Sequence, residues 1–224
     1  MYGICSNGMN GQGKFPVKAI PRQTRKHRKS IKKFQELPAS QSLEFKDPHD
    51  KRPVQLFFQD EARFGRIDNL TSCRVPEKCR AQAGNRIIRE YTCACTAACP
   101  QPEETFSLIL PYAKEVCMDV FMTELSGTCK DYGIITTMDR ASWHTGGKAN
   151  KRENSVPLFQ PPKSSELNPV EHLWHHIREK GNFKIHTFHS LCEVERHLMA
   201  ELNKLSLDFA VKKITRFTGI KYIL

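Results

Sequence analysis

Three acids stand where short apolar runs stop. Asp60 closes VQLFFQD (54–60), Asp139 closes GIITTMD (133–139), and Glu171 lies in SSELNPVEHLW (164–174), three residues after Asn168. Taken singly, each has an ordinary structural role. Aspartate at a strand end is common turn chemistry, and glutamate three residues past a helix cap completes a capping box. Taken together they allow more. If the two runs are neighbouring strands, their terminal carboxylates converge, and a helix packed over that end adds the third. Carboxylates so gathered repel one another unless a cation sits among them. Hard oxygen donors open to water suit Mg²⁺ or Mn²⁺. Two such ions, about 3.5–4 Å apart, stabilise both the attacking and the leaving oxygen of a phosphodiester displacement.

The elements that must position these acids follow from periodicity. VQLFFQD is a short apolar segment that suits a buried strand. REYTCACTAA (89–98) and ETFSLILPY (104–112) suggest a second and third strand in an antiparallel meander. Cys117, Val120, Phe121 and Leu125 have helical spacing within 115–132, GIITTMD is again a strand, and VPLFQPP (156–162) is a strand closed by prolines. Asn168 is a good N-cap and Pro169 suits the first helical position. Val170, Leu173, Trp174 and Ile177 then form one apolar stripe on a helix reaching about Lys180. A last helix over 189–205 carries Leu191, Val194, Leu198, Leu202 and Leu205 on one face. This order predicts an α/β or α+β layer architecture with a mixed sheet.

The 224 residues suffice for one sizeable core, and no run approaches the ~18 apolar residues of a membrane span. The opening MYGICSNGMNGQGKF has no charged segment followed by an apolar one, so no secretory signal is expected. The nine cysteines, an odd number, are read as reduced thiols in a cytoplasm. The net charge of +11 is uneven: residues 1–53 hold 12 Lys/Arg against 4 Asp/Glu. Its centre, RQTRKHRKSIKK (22–33), favours a phosphate backbone through counterion release, with Arg25, Lys26, Arg28 and Lys29 as candidate DNA contacts. The competing reading is a solvated arm. The division expected is a basic arm or linker remnant over 1–50 and one domain over 51–224.

The segments FFQDEARFGR (57–66), MDRASWH (138–144) and SSELNPVEHLW, in that order, resemble the three blocks of DDE transposases, most closely the insertion sequence 630 family within the mariner-type superfamily. The resemblance runs from about Lys51 to the end and includes TRFTGIKYIL (215–224), similar to that family's closing strand. It implies an RNase H-like fold, a mixed central sheet flanked by helices. It also implies that Asp60, Asp139 and Glu171, not Glu166, are the catalytic and metal-binding triad for two Mg²⁺ or Mn²⁺ ions. The implied partners are DNA, both the element's terminal inverted repeats and the target, and a second copy of the chain on paired ends, with insertion at TA dinucleotides. No membrane is involved, and the location implied is the cytoplasm, at the nucleoid. Among the neighbours, Arg63 contacts phosphate or pairs with a carboxylate, the structural role being slightly favoured. His144 falls where the family usually has histidine, and Lys148 and Lys151 follow in a Gly-rich loop within reach of DNA.

The sequence also departs from the family. Pro162-Lys163-Ser164-Ser165 stands where the family commonly has Pro-Tyr-Ser-Pro, a change expected to loosen the turn before Glu171. Only about 50 residues precede the first strand, too few for the helix-turn-helix modules that relatives carry. The expectation is therefore the second half of a split gene, its recognition half encoded separately, or a decayed copy. Two functions compete: a metal-dependent transposase catalytic domain, and a non-catalytic remnant that binds DNA or a full-length partner. A nuclease of the same fold but other biology ranks third. A zinc site from Cys73, Cys79, Cys93, Cys95 and Cys99 lacks the paired spacing of common zinc motifs, and period-2 placement in a strand explains Cys93 and Cys95 more simply. His172, His175 and His176 read as a solvated or DNA-facing helix side.

Overall fold

The strand that begins at Val54 does not stop at Asp60. In the computed structural model, which describes residues 2–4, 52–67, 74–76, 87–100, 103–141, 152–183 and 186–207, it runs over Val54–Ile67 as β2. The acid does not end it because the alternation resumes behind it. Ala62 and Phe64 continue the buried face begun by Leu56 and Phe58. A short β1 (Tyr2–Ile4) pairs antiparallel with β3 (Arg74–Pro76) in a separate two-stranded sheet.

The main sheet is completed by β4 (Ile87–Cys99), β5 (Glu104–Leu110), β6 (Gly133–Met138) and β7 (Ser155–Phe159), in the order β5-β4-β2-β6-β7. β2, β4 and β5 form the expected antiparallel meander. β6 and β7 then join β2 in parallel, after a crossover through α1 (Glu115–Thr128). Two helices follow, α2 (Val170–Lys180) and α3 (Leu191–Leu207).

Helices cover both faces, as the α/β reading expects. On one face Leu56, Phe58, Ala94 and Ile135 pack beneath Leu173, Trp174 and Ile177 of α2 and Val194, Leu198 and Leu202 of α3. On the other, Phe57, Cys95, Cys99 and Ile134 pack beneath Met118, Phe121, Met122 and Leu125 of α1. One residue assigned to the stripe of α1 is misplaced: Val120 is 45% exposed, and Met118 and Met122 fill the contact instead. Buried Asn154 anchors the start of the parallel half. Its side chain donates to the carbonyls of Ser126, Cys129 and Tyr132 just beyond and within the end of α1, at 3.1, 3.0 and 3.3 Å. The basic arm around 22–33 and the closing segment 215–224 lie outside the described residues.

Candidate active site

The register of β2 against β6 sets the first two acids. The parallel pairing runs from Val54↔Gly133 to Phe58↔Thr137. Asp60 and Asp139 each lie two residues beyond that last pair, so both project from the face that carries Phe58, beneath α2. This corrects the expected position of Asp60. It sits within β2, paired to Thr96 of β4, at the point where β6 has ended. Asp139 does follow the end of its strand, and its Oδ1 accepts the N–H of Ala141 at 2.9 Å.

The third acid is set by the start of α2. A single 3-10 turn, Ser165–Leu167, leads into Asn168, whose backbone is extended (φ −100, ψ 106). Pro169 is already helical at φ −65, ψ −18. Asn168 is the cap: its Oδ1 accepts the N–H of Val170 at 3.2 Å. Its own N–H is donated to the Ser165 carbonyl at 2.9 Å, so Glu171 does not close a capping box on it. Glu171 is exposed in the first turn instead.

Two further bonds tie this helix to β2. Asn168 Nδ2 donates to the carbonyl of Gln59, the residue before Asp60, at 2.9 Å. Trp174 Nε1 donates to Asp60 Oδ2 at 3.0 Å. Leu173 and Trp174 dock the helix on the sheet as expected, but the indole also orients the first acid. Asn168→Ala removes the cap, worth about 1 kcal/mol, and takes a donor from a buried carbonyl, worth about 1–3 kcal/mol. The expected loss is about 2–4 kcal/mol, read as a lower urea midpoint at unchanged slope. Asn168→Asp keeps the capping oxygen but sets a carboxylate against the Gln59 carbonyl and adds a charge to a cavity of three acids, so its loss should be at least as large.

Asp60, Asp139 and Glu171 line one cavity of about 340 Å³, shared with Arg140, Gln160, Lys163, Ser164 and Asn168. Its electrostatics are those of crowded carboxylates. Burial first, then the charges of Glu171 and Glu61, push Asp60 up from an ordinary value of 3.8 to about 7, against the lowering effect of the Glu61 backbone and the Trp174 indole. Among the described residues no three acids, histidines or cysteines are drawn together as tightly as a metal's ligand set. What fits a divalent cation is the donor chemistry: three hard oxygen donors at one open cavity, one of them destabilised as an anion by burial and by its neighbours' negative charge.

None of the other predicted residues that are described lines this cavity. Arg63 projects from the opposite face of β2, where its guanidinium lies 5.0 Å over the ring of Tyr91, a contact with an aromatic ring where phosphate or a carboxylate was expected. His144, Lys148 and Lys151, and Arg25, Lys26, Arg28 and Lys29 of the arm, lie outside the described residues, as do Cys73 and Cys79. Cys93, Cys95 and Cys99 are buried in β4. His172 and His175 are exposed on α2, and His176 is half-buried. Sequence reasoning gave no role to Arg140, Gln160 or Ser164, and noted Lys163 only as a departure from a pattern. The prolines that close β7 were the one signal that a turn would aim these side chains at the acids.

Residues 55–194 match the family described as DDE superfamily endonuclease. A protein of Sinorhizobium fredii (strain NBRC 101917 / NGR234), described as uncharacterized protein y4pE/y4sA, is 31% identical over 110 residues, 49% of this chain and 81% of that protein. Among solved structures, the Mos1 transposase paired-end complex with left transposon end aligns at a TM-score of 0.54 and 17% identity, over 97% of this chain and 68% of that one. The Mos1 mariner paired end complex with Mn aligns at 0.53 and 15%, over 90% and 64%. The chain thus spans about two thirds of the Mos1 chains and shares their fold, an RNase H-like mixed sheet of five strands with helices on both faces.

Proposed function

This chain belongs to the DDE superfamily of endonucleases, and from that premise we propose that it cuts and joins DNA phosphodiesters as the catalytic domain of a transposase of the insertion sequence 630 type. The observation that supports this most directly is that Asp60, Asp139 and Glu171 line a single cavity. Held by those carboxylates, two Mg²⁺ or Mn²⁺ ions would supply positive charge to the attacking and leaving oxygens. The chain's own residues do the positioning. Trp174 holds the Asp60 carboxylate, Asn168 fixes the helix that carries Glu171 against residue 59, and the Ala141 N–H orients Asp139.

In the first step water adds to phosphorus at the element's end and the 3′-oxygen leaves as a hydroxyl, with a 5′-phosphate on the other strand end. In the second, that hydroxyl adds to a target phosphodiester and displaces its 3′-oxygen. The Mos1 complexes, one with a transposon end and one with Mn, support DNA and a divalent cation as partners. Recognition of terminal inverted repeats, pairing of two copies on DNA and work at the nucleoid, in the cytoplasm, complete the proposal. So does the division into a basic arm over 1–50 and a catalytic domain over 51–224.

A second reading, a DNA-binding remnant without catalysis, draws on the altered turn at Lys163, whose backbone takes φ 59. Nicking of supercoiled plasmid in Mn²⁺, compared between the natural chain and Asp139→Asn, separates the two. Nicking lost in the variant supports the enzyme, and plasmid bound but never nicked supports the remnant.

A further inference from the structure

We propose that the turn from Gln160 to Ser164 is a seat for a DNA phosphate, with Lys163 as its cation and Gln160 and Ser164 as its hydrogen-bond donors. The seat rests on the DNA-cutting reading of the neighbouring acids and adds the groups that hold the phosphate against them.

Gln160 and Ser164 are each only 3% exposed, yet Gln160 Nε2 and Ser164 Oγ have no hydrogen-bond partner among the described residues. Buried polar groups are nearly always paired, and an orphan calls for a partner that the described residues do not provide. Both residues line the cavity of the three acids, and so does exposed Lys163 between them. An ammonium, an amide N–H and a hydroxyl together make a donor-rich wall that selects an anion. Three carboxylates line the same cavity, and they reject a simple anion and accept one that arrives with cations. A phosphodiester satisfies both walls: its non-bridging oxygens take the donors, and its reacting oxygens face the acids. Lysine is the point-charge partner for such a group.

The backbone makes the test clean. Lys163 occupies the left-handed region at φ 59, where glycine sits without penalty and lysine does not. Lys163→Gly therefore removes the charge while easing the turn. Gln160→Leu and Ser164→Ala likewise remove orphan groups at little volume change, so a merely structural role predicts equal or higher stability with unaltered DNA binding.

The measurement is binding of a DNA duplex to the full chain, titrated against NaCl at one fixed Mg²⁺ concentration, in an Asp139→Asn background that keeps the DNA intact. Thermal midpoints are recorded alongside. For Lys163→Gly the expected result is an unchanged or higher midpoint, affinity lower by about tenfold, and a log–log salt slope smaller by about 1. Lys163→Arg should keep the slope. Gln160→Leu and Ser164→Ala should weaken binding several-fold without moving it, since neither removes a charge. A slope unmoved by Lys163→Gly, or no duplex binding by the parent chain, overturns the seat. A chain that nicks plasmid but ignores Lys163 keeps the proposed function and loses the seat. One whose binding depends on Lys163 but never nicks keeps the seat and loses the catalytic reading.

Discussion

Replacing Asp139 with asparagine is expected to cut nicking of supercoiled plasmid in Mn²⁺ by more than about 100-fold, since altering even an outer-shell partner of a metal ligand costs 10–100-fold. The loss should come without unfolding. Asp139 is exposed, and the oxygen that accepts the Ala141 N–H is one that asparagine also has, so the turn to Ala141 survives. The stability change should stay within about 0.5 kcal/mol, as for an ordinary surface substitution. What changes is a full negative charge at the cavity and its capacity to hold a cation. Glu166→Gln is the matching control. Glu166 lies in the 3-10 turn ahead of the cap, and Glu171 in the first turn after it. Nicking should survive the first change and fail in Glu171→Gln. Equal nicking by the natural chain and Asp139→Asn would remove the catalytic reading of this chain.

Much of this arrangement is legible locally. The meander, the parallel pair and the two later helices follow from alternation and from helical spacing, because each buries one face against one layer. Asp60 does not terminate its strand, for a physical reason. An acid after Phe57-Phe58-Gln59 looks like a stop, but the pairing with β4 carries the strand on, and only the parallel neighbour ends there. Nothing local announces the pairing of Tyr2–Ile4 with Arg74–Pro76. The same holds inside the site. Asn168 was legible as a cap, since capping is a contact between near neighbours. Its bond to Gln59 and the bond from Trp174 to Asp60 span 109 and 114 residues and exist only once the helix lies on the sheet. The acids could be found from where they stand in the chain, whereas the groups that hold them required the fold.

Asp60→Asn is expected to stabilise the metal-free chain at about pH 8 and to lose that advantage as the pH falls. Burial, Glu171 and Glu61 raise Asp60 to about 7, whereas in the unfolded chain it titrates near 3.8. Between those values the folded protein holds a proton that the unfolded chain has released, so raising the pH favours unfolding. The natural chain therefore loses stability from about pH 4 upward and carries the full penalty above about pH 7, at most about 4 kcal/mol for a shift of this size. Asparagine carries no charge to desolvate and still offers an oxygen to the Trp174 indole, so the variant escapes the penalty. Urea unfolding with a chelator present should show the two chains equal near pH 4 and the variant more stable near pH 8. A constant difference across that range would mean that the carboxylate is not under strain. Added Mn²⁺ should reverse the order, because a cation held by the folded natural chain stabilises it in proportion to its binding, and the variant binds it less. A substitution that strengthens the empty fold, weakens the metal-loaded one and abolishes nicking identifies a carboxylate kept for chemistry at the expense of stability.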